Sequence, residues 1–192
     1  VDRDLESIFR GQLDRAYFPV QMEDMQANLE FNYIEDQPIR IGDVEITWEH
    51  MFHPGSTVGY NMAEDGRQLV FIPDNEFLKG YMGEPLRQLD GNDTETYGRL
   101  VEFCRGADVL ILEAQYTHDE YPIKVGWGHT SVANACTLAG VSEVKKWIVT
   151  HHDPSHEDDF LQSKLNLTRQ ILRDIECSVE VQHGHDGMIG YL

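Results

Sequence analysis

The run Val109-Leu110-Ile111-Leu112 is apolar at every position. A strand with no polar alternation suits cover on both faces, as in α/β proteins with parallel sheets. Leu69-Val70-Phe71-Ile72 and Trp147-Ile148-Val149 are two more runs of this kind. Helical periods lie between and after them. Tyr97, Leu100, Val101 and Cys104 share a face over 95–105, and Val132, Ala135, Cys136 and Ala139 share one over 131–139. Gly140 is placed to cap that second helix, and a third, over 157–175, turns Leu161, Leu165, Leu172 and Ile175 inward. The second half therefore alternates helix and strand and predicts a layered α/β fold.

Upstream the periodicity changes. Leu5, Ile8, Phe9 and Leu13 predict a short amphipathic helix over 4–18. Within 29–52, Val44, Ile46 and Trp48 alternate with Glu45, Thr47 and Glu49, the period of a half-buried strand entered from the Gly42-Asp43 turn. Residues 57–74 read as a hairpin around Glu64-Asp65-Gly66, and 78–98 as a loop. Val179–Val181 and Met188–Leu192 read as a closing hairpin around Asp186-Gly187.

Charge and length narrow the function classes. The chain has 192 residues with 15 Lys and Arg against 34 Asp and Glu, a net charge of −19. That length suits a single domain with a sizeable core. Such acidity disfavours a basic nucleic-acid footprint and an anionic membrane surface. No apolar run approaches a bilayer span, and Val1-Asp2-Arg3-Asp4 is not a secretory signal. Three widely spaced cysteines, Cys104, Cys136 and Cys177, fit a reducing, cytoplasmic compartment. The opening Val is read either as a trimmed start or as the start of a fragment.

The chemistry gathers where strands stop. The alternating strand runs to His53, the next apolar run to Asp74, the third to Glu113, and the fourth to His151-His152-Asp153; His129 precedes a helix. Ligand sites of open α/β sheets lie beyond strand ends. Imidazole and carboxylate without thiolate is the donor set of a borderline divalent metal. Structural readings stand beside these: His53 packing on Pro54, Asp74 capping a turn, and His129 solvated ahead of a Thr130 or Ser131 cap. Neighbours at a strand end point apart, so His152 rivals His151. Asp153 and His156 are candidates for fixing a ligand's tautomer. The His183-Gly-His185 pair reads as a turn. Thr117–Gly128, with Tyr121, Lys124 and Trp127, reads as a cover, with Lys124 either touching a substrate anion or solvated.

These strings, in order, resemble metallo-β-lactamase-fold hydrolases of the ribonuclease Z and cyclic phosphodiesterase-like branch. His53-Pro-Gly-Ser-Thr-Val-Gly-Tyr60 resembles the third metal motif, and Phe71-Ile-Pro-Asp74-Asn the fourth. Leu112-Glu113-Ala114-Gln115 resembles a His-Glu-Ala-Thr stretch with its first and last residues replaced. Gly128-His129-Thr130-Ser131 resembles a His-Ser-Thr helix start, and Val149-Thr150-His151 the closing metal motif. The resemblance implies a four-layer αββα sandwich and two divalent metals, zinc with manganese or iron as alternatives. It implies His53, Asp74 and His151 as metal ligands, Asp74 bridging. His129 then assists the leaving group, with Glu113 orienting it. The resemblance further implies that the metals would lower the pKa of a bound water, and that the resulting hydroxide would attack phosphorus. The family's His-x-His-x-Asp-His signature is absent. The chain is therefore read as the C-terminal two-thirds or so of a single hydrolase domain, covering 1–192 and inactive alone.

The expected substrate is a small or cyclic phosphodiester. Long RNA is disfavoured by the net charge and by the short segment from His53 to Asp74. An ester, lactone or lactam hydrolase on the same scaffold is the alternative. A degenerate non-catalytic module is another if Val1 is the true start. No membrane partner is expected, and a homo-oligomer is compatible with the chain.

Overall fold

The computed structural model describes residues 5–32 and 38–192. Residue 4, where the first predicted helix begins, and 33–37 within the 29–52 stretch lie outside the described residues. The chain divides into two compact units, Val1–Gln37 and Pro38–Leu192.

In the first unit, α1 spans Leu5–Gln12, and Leu5, Ile8 and Phe9 on it are exposed. The helix is shorter than its apolar period suggests. Beyond it the chain turns: Asp14 Oδ1 accepts from Ala16 N at 2.8 Å, a local bond that competes with further helix. The Phe9 and Phe31 rings lie 5.4 Å apart.

The second unit is built on one seven-stranded sheet in the order β1-β2-β3-β4-β5-β6-β7. Its strands are β1 (Ile39–Ile41), β2 (Val44–His50), β3 (Val58–Glu64), β4 (Arg67–Ile72), β5 (Val109–Glu113), β6 (Lys146–Thr150) and β7 (Glu180–His183). The strands β1 to β4 pair antiparallel, and β4 to β7 pair parallel. Asp65 and Gly66 turn β3 into β4 with φ of 49° and 75°, the left-handed pair of a tight hairpin. Helices α2 (Gly91–Cys104), α3 (Val132–Val141) and α4 (Asp158–Asp174) connect the parallel strands. Right-handed crossovers stepping in one direction across a sheet put all three helices on one face.

Register confirms which face that is. Val70, Leu110, Trp147 and Val181 are cross-strand neighbours, as are Ile72, Leu112 and Val149, and all are buried. On the opposite face Phe71, Ile111 and Ile148 are neighbours of intermediate exposure. The uniformly apolar runs thus have helices over one side only among the described residues, and two layers of the implied four are present.

Several element boundaries shift for local reasons. Helix α2 begins earlier, inside the predicted loop, because Asp90 caps it by accepting from Asn92 N and Asp93 N at 3.0 Å. Gly140 stays inside α3, and the left-handed residue that ends the helix is Glu143, with φ of 55°. In α4 the buried positions are Lys164, Thr168 and Leu172. The predicted closing hairpin is absent: β7 joins the sheet edge parallel to β6, and Met188–Leu192 is not a strand.

Candidate active site

Strand direction gathers the chemistry. Both β2 and β4 run antiparallel to β3, while β4, β5 and β6 run parallel. Their C-terminal ends therefore share one rim, and the residues after them, His53, Asp74 and His151, arrive there with Glu113 at the end of β5. His151 leaves β6 with φ of 49°, a left-handed conformation that costs a non-glycine residue about 1–3 kcal/mol. That break from extended geometry lets its ring face Asp74.

Asp74 sits at the centre of the rim. Its Oδ2 lies 3.8 Å from His53 Nε2 and its Oδ1 3.5 Å from His151 Nε2. Donor atoms of Asp74, His129 and His151 all lie within 4.8 Å of one another. Two donors on one tetrahedral zinc are separated by about 3.3 Å, given bonds of about 2.0–2.1 Å. The two Asp74–His separations exceed that by a few tenths of an ångström. The donor set thus fits a divalent cation, and the carboxylate offers one oxygen towards each histidine. His53 is held from behind, its Nδ1 meeting Thr57 Oγ1 at 3.1 Å. Gly128, with φ of +94°, passes so close to the His53 ring that a Cβ there would overlap it.

Glu113 organises the neighbouring histidine. Its carboxylate is fully buried at 0% exposure. Oε1 meets His129 Nδ1 at 2.8 Å and accepts from Asn75 N at 3.0 Å. Oε2 accepts from Gln115 N at 3.3 Å and Thr130 N at 3.2 Å. Burial pushes the Glu113 carboxyl above the usual carboxylate range, against the pull of His129 and the backbone donors. Withdrawal from water pulls the His129 imidazole down, but the bond and charge of Glu113, joined by Asp74 and Glu76, outweigh it and hold it above its ordinary value. With three backbone N–H groups already donating to Glu113, an Nδ1–H tautomer at His129 completes the set and leaves Nε2 for the rim.

His152 goes elsewhere. Its ring packs on His183 at 4.4 Å between centroids. Both His152 nitrogens and His183 Nε2 are buried without a hydrogen-bond partner among the described residues. Burial pushes both rings down to about 4, so they are neutral. The structure thus brings His151, and not His152, to Asp74. His156 reaches Glu120 at 2.7 Å and not the rim histidines. Asp153 closes on Ser155 N and Oγ at 2.9 and 2.6 Å.

Two buried charged residues escape the sequence reading. Glu76, 2% exposed, accepts from Tyr121 Oη at 2.9 Å and from the amides of Gly126 and Gly128. Lys164, also 2% exposed, donates to Ala114 O at 3.1 Å and Gln115 O at 3.2 Å. Burial lowers its amine to about 8. The polar position among the inward leucines of α4 is the signal that could have found Lys164. No spacing marks Glu76, because its partners lie 45–52 residues away.

No protein-family model matches the chain. Ribonuclease Z of Brevibacillus brevis is 33% identical over 95 residues, 47% of this chain and 30% of that protein. Ribonuclease Z of Listeria innocua is 26% identical over 120 residues, 59% of this chain and 39% of its own length. The matches thus span well under half of these relatives. The metallo-β-lactamase-fold protein YhfI from Bacillus subtilis superposes with a TM-score of 0.58 at 19% identity, covering 81% of this chain and 53% of that one. A diphosphatase of the PhnP family gives 0.51 at 15% identity, covering 89% and 53%. No helix among the described residues is long and apolar enough to cross a membrane. The chain has a metallo-β-lactamase-type fold, and its sequence resembles the ribonuclease Z branch of the proteins that share it.

Proposed function

We propose that this chain provides part of a metal-dependent phosphodiesterase site. His53, Asp74 and His151 hold divalent metal, His129 serves the leaving group, and Glu113 orients His129. One observation carries the reading: the Asp74 carboxylate faces His53 with one oxygen and His151 with the other, at 3.8 and 3.5 Å. That is the disposition of a carboxylate shared between two cations. Zinc, or manganese or iron in its place, supplies Lewis acidity towards water and a phosphoryl oxygen when bound. Each histidine with Asp74 would give a cation two of the four donors zinc favours. The remainder falls to water, to substrate and, on the reading of this chain as part of a longer hydrolase, to a segment preceding it.

The chain's own residues then do the following. Asp74 and the two histidines would hold the cations at the rim, and the cations would supply the positive charge that draws the phosphoryl group there. Glu113 holds the His129 ring through Nδ1, so that Nε2 can give a proton to the departing oxygen. A raised imidazole pKa keeps more of the ring in its acid form near neutrality. The ribonuclease Z relatives support a phosphodiester as the bond cut. A net charge of −19 favours a small or cyclic diester over long RNA. The two-residue turn joining β3 to β4, where no gripping arm projects, points the same way.

The test uses the full-length protein, assayed for metal content and for turnover of a cyclic nucleotide, a structured RNA, and ester, lactone and lactam substrates. His129→Ala is expected to retain metal and to lose about 10²–10⁴-fold in phosphodiester turnover. Unchanged turnover in that variant, or preference for a carboxyl ester, lactone or lactam, overturns the reading. Failure to hold metal would leave a non-catalytic module.

A further inference from the structure

Beside His129 lies a cavity of 570 Å³, a size typical of small-molecule pockets. Tyr116, Ile123, Lys124, Trp127, Asp153 and Pro154 are among the residues that line it. Tyr116 packs edge-on to His129, with ring centroids 6.2 Å apart. Lys124 Nζ sits 4.0 Å from the Trp127 ring and 5.6 Å from that of Tyr116. An aromatic and cationic strip therefore runs outward from the candidate acid.

Trp127 is 58% exposed, yet its loop is fixed at high cost. Gly126 and Gly128, on either side of it, both have left-handed φ. Their amides donate to the Glu76 carboxylate at 2.7 and 3.2 Å. A carboxylate buried to this degree is expensive unless it is fully engaged, and here it ties down the two peptides that present an exposed indole. Neither acidic neighbour in the pocket is free to dominate it: Asp153 is closed on Ser155, and Glu120 is held by His156 and Thr117. What the pocket presents is therefore the exposed indole with the Lys124 ammonium on it, a surface on which a planar aromatic ring can stack.

We infer that this pocket is a stacking subsite, in which Trp127, backed by Lys124 and Tyr116, receives a planar aromatic group attached to the phosphoryl group at the rim. The substrate class is then an aromatic phosphodiester: a nucleotide or an aryl ester. The inference rests on the phosphodiester reading above.

Binding of three probes to the zinc-loaded protein tests it by calorimetry: adenosine 5′-monophosphate, phenyl phosphate and inorganic phosphate. Stacking of a base on an aromatic side chain corresponds to a loss of roughly 5- to 150-fold on removal of the ring. Trp127→Leu is expected to weaken the two aromatic probes by a factor in that range and to leave inorganic phosphate unchanged. Trp127→Phe restores most of the affinity. A response of both aromatic probes marks a generic ring site, and a response of adenosine 5′-monophosphate alone marks a nucleobase site. Equal losses for all three probes, or wild-type affinity no greater for the aromatic probes than for phosphate, overturn the subsite. If inorganic phosphate does not bind while the aromatic probes still depend on Trp127, the subsite stands and the phosphodiester reading falls.

Discussion

Replacing Glu113 by Gln swaps one carboxylate oxygen for an NH₂ group at a place where both oxygens face donors. If the amide nitrogen takes the Oε2 position, it confronts Gln115 N and Thr130 N, and two buried N–H groups lose their acceptor. In the Oε1 position it confronts Asn75 N and His129 Nδ1. There the imidazole can adapt by moving its proton to Nε2 and accepting at Nδ1. One backbone N–H, that of Asn75, is then stranded. A single buried unsatisfied donor costs about 1–3 kcal/mol, so the second orientation wins over the first. Glu113→Gln is therefore expected to lower stability by about 1–3 kcal/mol, or about 2–12 °C in Tm for a chain of this size. It is also expected to invert the His129 tautomer. Denaturant unfolding reads the first effect, and long-range ¹H–¹⁵N correlation of the His129 ring reads the second. Wild-type stability together with a retained Nδ1–H tautomer would refute the claim that Glu113 sets the state of His129.

Two further outcomes follow from the geometry. His152 and His183 are half-buried, with ring nitrogens withdrawn from water, and are neutral with folded values of about 4, below the ordinary 6.5. The unfolded chain takes up protons that the folded one refuses, so stability is whole above about pH 6.5 and is lost as pH falls towards about 4, by about 1–3 kcal/mol for the partly exposed pair. Urea midpoints across that window measure it, His183→Phe should flatten the slope, and a flat wild-type profile would count against the burial argument. Gly128→Ala places a Cβ against the His53 ring at a left-handed φ, so it should cost about 1–3 kcal/mol and weaken zinc binding. Zinc titration with unchanged affinity would show that His53 is not a ligand.

Much of the fold is legible in local pattern. The alternation at Val44–Glu49 and the apolar runs at 69–72, 109–112 and 147–149 mark the strands, because side-chain period follows directly from backbone geometry. The polar residue that ends each run also marks the rim, since strand direction alone decides which ends meet. Two misses have a common cause: Lys164 among inward leucines and the parallel β7 in place of a hairpin were each settled by a partner far away in the chain. The left-handed residue at Glu143 in place of Gly140 is a local matter, closed by Glu143 N donating to Gly140 O and Val144 N to Ala139 O.

Sequence by itself determined that an imidazole or carboxylate follows the alternating strand and each of the three apolar runs, a donor set of the kind divalent metals accept. Only the tertiary structure decided that His151 and not His152 faces Asp74. It alone shows that Glu113 is saturated by four donors and that Glu76 fixes the loop bearing Trp127. The physical reason is range. Periodicity is a property of neighbouring residues, whereas the cost of burying a charge is met by whichever donors the fold brings to it, and those lie tens of residues apart.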